Sequence, residues 1–270
     1  MRTVIVSVGT ALINNMSRAL GTEKAQLTDG AVLNVLRQAY QAYDAARGTS
    51  TEEDARRVIG ATSAEINTLV HMPLHGPKDD RLAWLRSDTV QGEWCAGILN
   101  TLYKERGFDS DVRVAEGLTD AKEDRFVQFG LRSLVNVTMD IIGKSVNPTD
   151  VIICATGGYK VQIAYLNLIG LLCGIEVCYM FESFDTVIRL PRLPLTWQAD
   201  WVRKHHEFFA SLADGKKRAT SDVRRYQSSH RDDDLQQMIA DDPDGFSHLT
   251  PVGEAIYQAY WENTALRRRP

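Results

Sequence analysis

The sequence predicts an α/β fold: a parallel, Rossmann-like sheet flanked by helices, with a smaller helical domain at the C-terminal end. Three observations predict it. Short apolar runs alternate with amphipathic helical stretches along the first two thirds of the 270-residue chain. The runs TVIVSV (3–8) and VIIC (151–154) are apolar at nearly every position, as strands covered on both faces require. After Pro191 and Pro194 the alternation stops and the chain becomes charged and helical, which puts the expected units at 1–195 and 196–270, with a winged-helix-like unit as one reading of the second.

In order, residues 3–8 form the first strand, and Gly9-Thr10 open the loop VGTALINN (8–15). Residues 30–46 carry Val32, Leu33, Val35, Leu36, Ala39, Tyr40 and Tyr43 at helical spacing. Shorter helices are expected near 51–59, capped by Ser50 or Thr51, and near 62–70. RLAWLR (81–86) reads as a strand followed by the loop SDTVQGE (87–93). A helix over 91–106, a strand at 111–115, a helix over 122–143 and a strand at 150–155 come next. The turn TGGYK (156–160) then leads through an apolar helix into a second buried strand that ends in Glu182. Beyond the boundary, helices are expected near 199–213, 219–240 and 252–265. For the last, Thr250 caps, Pro251 takes the first helical position and Glu254 is placed to reach back.

Composition narrows the function classes. With 44% hydrophobic and 24% charged residues, this is an ordinary globular chain. A formal net charge of −4 gives no general attraction to nucleic acid, so a nucleotide site has to be local. Cys95, Cys154, Cys173 and Cys178 all sit in apolar patterns with no CxxC pair or Cys/His ligand spacing. They read as buried reduced thiols of a cytoplasmic protein, with no metal or other cofactor expected. MRTVIVSVGT enters a strand directly, without the pattern of a secretion signal. The apolar stretch 161–181 is interrupted by Gln162, Asn167, Gly170, Gly174 and Glu176, so it reads as helix plus strand, and no membrane span is expected.

Ligands of parallel sheets sit beyond the carboxyl ends of the strands. Three polar or glycine-bearing loops fall at that edge: 8–15, 87–93 and 156–160. Gly157 and Gly158 let the backbone approach a ligand, and the helix that starts near Lys160 directs free N–H groups and its positive dipole end there. The unit suits phosphate, although Gly-Gly between strand and helix also serves as a plain tight connection. GGYK is neither a Walker loop nor a GxGxxG fingerprint.

The ordered motifs VGTALINN, SAEINTL (63–69), SDTVQGE, EGLT (116–119), ATGGYK, GIEVCYMFESFD and LPRLPL resemble the CRISPR-associated Rossmann-fold family called CARF, closest to the branch of archaeal-type standalone ring nucleases. The resemblance covers roughly residues 1–195, and the C-terminal piece resembles a helical extension of that branch. It implies a role in type III CRISPR antiviral defence. The implied protein is a homodimer that holds a cyclic oligoadenylate, cyclic tetra-adenylate before others, across its two-fold axis and cleaves it without a metal. The ribose 2′-hydroxyl would attack its own 3′-phosphate. The ligand set so implied is Gly9, Thr10, Ala11, Asn14, Ser87, Asp88, Thr89, Thr156, Gly157, Gly158, Tyr159, Lys160 and Gln162, with Lys160 and Thr10 catalytic.

One departure bears on the chemistry. The first loop of this branch usually reads GTS, and here it reads GTA, with Ala11 where the serine acts beside the lysine. Thr10, Ser7 and Asn14 are the available substitutes, and slow cleavage is expected. Two alternatives concern the C-terminal piece, which a sensor of this kind would control. Arg225 and His230 have the R-x4-H spacing of HEPN ribonucleases. Lys216, Lys217, Arg218, Arg224, Arg225 and Arg231 form a basic cluster, diluted by Asp232, Asp233, Asp234, Asp241, Asp242 and Asp244, which reads as a solvated face before a nucleic-acid surface. His205, His206, Trp197 and Trp201 read as packing and surface residues. A dinucleotide-dependent enzyme is disfavoured, because no acidic residue follows a GxGxxG turn.

Overall fold

The computed structural model describes residues 1–267 except 73, 122, 146, 148–149, 182–184, 193–198 and 231. The expected boundary near 195 and Trp197 lie outside the described residues. The first unit runs β1 (Arg2–Val8), α1 (Ala11–Leu20), α2 (Asp29–Ala46), α3 (Glu52–Gly60), α4 (Ala64–His71), β2 (Asp80–Ser87), α5 (Val90–Glu105) and β3 (Asp109–Ala115). It continues through α6 (Glu123–Arg125), a π-helical turn (Phe126–Gly130), α7 (Leu131–Gly143), β4 (Val151–Cys154), α8 (Lys160–Cys173), β5 (Glu176–Tyr179) and β6 (Ile188–Leu190).

The strands form one sheet in the order β3-β2-β1-β4-β5-β6, parallel except for β6, and this is the Rossmann-like arrangement expected. The chain lays β2 and β3 on one side of β1 and β4 and β5 on the other. The switch point is therefore the β1–β4 pair, where Ile5 is in register with Ile153. Alternation along β1 sends Val4, Val6 and Val8 into one core with Trp84 and the inner faces of α2 and α5. Ile5 faces the other way, into a core with Leu85, Ile153, Leu134 and Leu166. Two buried faces explain the unbroken apolar runs.

Two elements of the first unit differ from expectation. Residues 11–15, read as part of the loop 8–15, instead begin α1, with Leu12 and Met16 buried and Gly21 closing it at φ 61°. An antiparallel edge strand, β6, was not anticipated. It is only three residues long and exposed, too short to carry an alternating pattern.

The remaining elements are α9 (Ala199–Lys204), α10 (His206–Ala210), β7 (Arg218–Ala219), α11 (Thr220–His230), α12 (Asp233–Gln237), β8 (Ile239–Asp241), β9 (Phe246–Leu249) and α13 (Pro251–Arg267). The helix expected over 219–240 is thus broken, because Asp232 caps a new helix through Leu235 N–H (3.3 Å) and the chain then turns into a small antiparallel sheet, β7-β9-β8. Phe209, Leu212, Val223, Leu235 and Leu249 make a separate core there. Thr250 does cap α13, accepting from Gly253 N–H (3.1 Å). Glu254 does not reach back. It is buried, accepts from Asp214 N–H (3.1 Å) and Gln258 (2.8 Å), and burial raises its pKa. Ala255 and Ala259 of the same helix join the core of the first unit against α7 and α8.

A buried ion pair ties the start of β1 to β2. Asp80, with no side-chain exposure, accepts from Arg2 at 2.7 and 3.0 Å and from the N–H of His75 at 2.5 Å. Removing one partner of such a pair leaves the other uncompensated in a dry site. Asp80→Ala is predicted to cost about 3–5 kcal/mol in urea unfolding, and a loss under about 1 kcal/mol would show that the pair is not holding the strands.

Candidate functional site

A cavity of about 960 Å³ opens beyond the carboxyl ends of β1, β2 and β4. This volume lies at the upper end of the range of about 300–1,000 Å³ usual for small-molecule sites. Ten of the thirteen expected residues line it: Gly9, Thr10, Ala11, Asn14, Ser87, Thr89, Thr156, Gly157, Gly158 and Tyr159. Three helices begin at its wall, α1 after Thr10, α5 after Thr89 and α8 after Tyr159. Each leaves unpaired N–H groups and a positive dipole end at its first turn, so the sequence concentrates three anion-favouring termini at one place.

The glycine turns are packed to their limit. Gly158 adopts φ 101°, a conformation side chains rarely take, and a β-carbon on Gly9 would stand 2.6 Å from the Gly158 nitrogen. Between the two turns lies Glu65 of α4, with no exposure. One of its oxygens accepts from Gly9 N–H at 2.7 Å and the other from Ser63 Oγ at 2.6 Å. A β-carbon on Gly157 would fall 2.2 Å from the same carboxylate. Gly9 therefore offers the cavity its Cα surface, its N–H being engaged by Glu65. Sequence reasoning missed Glu65 as a site residue although it lies in SAEINTL. A carboxylate in the first turn of an amphipathic helix looks solvated until the fold buries it.

Three expected residues stand outside the cavity lining. Asp88 turns away to accept from Gly117 N–H (2.9 Å), with Arg125 at 3.8 Å, and so braces the turn after β3. Gln162 is fully buried beneath the turn, donating to Leu85 O at 3.4 Å, with its Oε1 unpartnered among the described residues. Lys160 is exposed at the start of α8, next to Tyr159. Of the substitutes for the missing serine, Ser7 is excluded, because it is buried and donates to Cys154 O at 3.1 Å. Thr10 is exposed and makes no capping bond, and Asn14 lines the cavity. Thr89 is occupied as the α5 cap, accepting from Gly92 N–H at 3.0 Å. Thr156 pairs with Thr68 at 2.8 Å.

The charged lining residues among those described are Lys24 and Asp120, neither anticipated, and Trp94 adds an aromatic wall. Burial and the adjacent Asp120 carboxylate, to which the phenol is hydrogen-bonded, raise the Tyr159 pKa. A different group, Glu53, His71 and Asp185, places three potential metal-ligand atoms within 4.8 Å of one another. Arg57 already pairs with both carboxylates, at 3.6 and 3.1 Å.

In the C-terminal part, Arg225 and His230 are not brought together. Five residues apart on α11, they point about 140° from each other around the helix. Arg225 is 83% exposed, whereas His230 stacks on Tyr226 at 4.0 Å. Lys217 pairs with Asp242 (2.5 Å) and Arg224 with Asp241 (3.0 Å), so acids within the same unit neutralise part of the basic cluster. Arg231 lies outside the described residues. His205 is buried against Trp201 and Tyr226, as a packing residue.

Residues 60–193 match the model of a family described as CRISPR-associated protein (Cas_APE2256). That stretch carries β2, β4, the glycine turn and α8, and it is similar to a CRISPR-associated family. A comparison with curated proteins gives no match.

Glu65→Ala is predicted to leave Gly9 N–H unsatisfied and to lower stability by about 1–3 kcal/mol. Chemical denaturation measures the loss, and Glu65→Gln, which keeps an acceptor for Gly9, is expected to lose less. Equal losses would show that packing, not the hydrogen bond, is what Glu65 contributes.

Proposed function

We propose, on the premise of the match to a CRISPR-associated family, that this protein is a CARF-type receptor of the cyclic oligoadenylate messengers of type III CRISPR defence and that it cleaves them slowly. The observation that carries the reading is the convergence of three helix N-termini and two glycine turns on one cavity at the β1–β4 switch point. That arrangement suits a ligand with several phosphates.

A cyclic oligoadenylate repeats the same phosphate and base around a ring, so a symmetric pair of sites fits it. The homodimer belongs to the proposal. Leu171 of α8 and Ile188 and Leu190 of β6 leave exposed apolar surface on the β5–β6 flank that a second copy can cover.

In the proposed reaction the ribose 2′-oxygen bonds to the adjacent phosphorus as the P–O5′ bond breaks. The 2′-hydroxyl loses its proton, the departing 5′-oxygen gains one, and a cyclic 2′,3′-phosphate end results. The chain's own task is to hold the three atoms in line and to stabilise charge on the equatorial oxygens. The N–H groups at the start of α8 supply fixed dipoles. Lys160, on a flexible stem beside them, supplies a mobile cation. Thr10, whose hydroxyl makes no cap, is the available donor beside Ala11.

Calorimetry with cyclic tetra- and hexa-adenylate tests binding, and the absence of any binding at micromolar protein would overturn the reading. Lys160→Ala is predicted to weaken binding by about 1.5–3 kcal/mol and to slow ring cleavage by about two to three powers of ten. Unchanged single-turnover rates would remove Lys160 from the mechanism. Ala11→Ser adds a donor realised only as charge builds on the phosphate. A gain of about 1–2 kcal/mol would raise the single-turnover rate about 5- to 30-fold with little change in affinity. If the unmodified protein already cleaves as fast, Thr10 fills the role.

A further inference from the structure

The cavity is chemically divided. One end is the glycine turns and helix termini. The other is an apolar lip of Ile13 from α1, Leu27 and Trp94 from α5, each packed on the core behind it and lining the opening in front. A phosphate alone has no use for such a surface. A flat aromatic group attached to a phosphate does.

We propose that this lip is a base subsite in which Trp94 stacks on an adenine of the ligand, an inference that rests on the nucleotide reading of the cavity above. The indole N–H donates to Asp29 Oδ1 at 2.7 Å, so the ring is held in place and its polar edge is already satisfied. What it presents to the cavity is therefore apolar π surface, and a ring fixed beforehand loses little freedom on binding. Gln91, exposed one turn before it on the lining, carries the amide that can pair with the N6 and N7 edge of adenine. Lys24 stands on the same wall, exposed and without an ion pair among the described residues, a cation for the adjoining phosphate.

The test uses the full chain, with cyclic tetra-adenylate, cyclic hexa-adenylate and AMP as probes. Calorimetry and tryptophan fluorescence are read on the unmodified protein, Trp94→Phe and Trp94→Ala. The chain holds five tryptophans, so the change that vanishes in Trp94→Phe reports this one. Ligand is expected to quench fluorescence in the unmodified protein. Trp94→Phe, which keeps a stacking ring, should bind within a few-fold and lose that quench. Trp94→Ala should bind about 5- to 150-fold more weakly, the stacking of one base. Binding with an undiminished quench in Trp94→Phe, or undiminished affinity in Trp94→Ala, overturns the subsite and leaves the messenger reading standing. Trp94-dependent quenching by AMP without binding of either ring supports the subsite and overturns the messenger reading. Binding of none of the three probes overturns both. Should Trp94→Ala not fold, as circular dichroism would show, the Phe variant decides alone.

Discussion

Glu65 accepts from Gly9 N–H and Ser63 Oγ with its carboxylate fully buried and within van der Waals reach of Gly157, and this one arrangement sets how closely the turns after β1 and β4 can meet. Without side chains on Gly9 and Gly157 the two backbones lie against each other with the carboxylate as the wedge. The α1 and α8 termini then have no freedom to splay. Both oxygens of Glu65 are thereby spent on donors inside the protein. The sheet edge trades a free backbone N–H for a fixed geometry.

The same trade recurs around the cavity. Ser87, Thr89 and Thr156 spend their hydroxyls on neighbours, Gln162 is buried beneath the turn, and Asp88 holds the turn after β3. These residues shape the wall. Thr10, Asn14, Lys24 and Lys160 keep polar groups toward solvent or the opening, and they form the adjustable part.

Much of this was legible in the chain. VIIC followed by Thr-Gly-Gly and an apolar helix announces a covered strand and a phosphate-suited turn, because both signals are local. The alternation of strands and helices then put three loops at one edge, and ten of thirteen expected residues do line the cavity. What was not legible depends on tertiary burial. Glu65 and Gln162 owe their roles to what packs over them. Asp88 looked like a ligand because nothing local reveals that Gly117 N–H is its partner. Lys24 comes to the cavity from the turn between α1 and α2, outside every loop motif, and Trp94, one residue past the loop 87–93, reads as one more apolar position of α5 until the fold shows which way it faces. In the C-terminal part a charged helical pattern concealed strands of two to four residues, too short to show a period of two.

Helix α13 packs Ala255 and Ala259 into the core against α7 and α8, more than sixty residues after the last strand of the main sheet. The outer side of the α7–α8 layer therefore remains uncovered until the final helix docks. On a growing chain the glycine-turn unit would spend the time of those residues' synthesis with an apolar strip open to water, and a fragment ending near residue 195 would keep that strip permanently. The tail closes the fold that precedes it, so the two portions are made, stabilised and lost together.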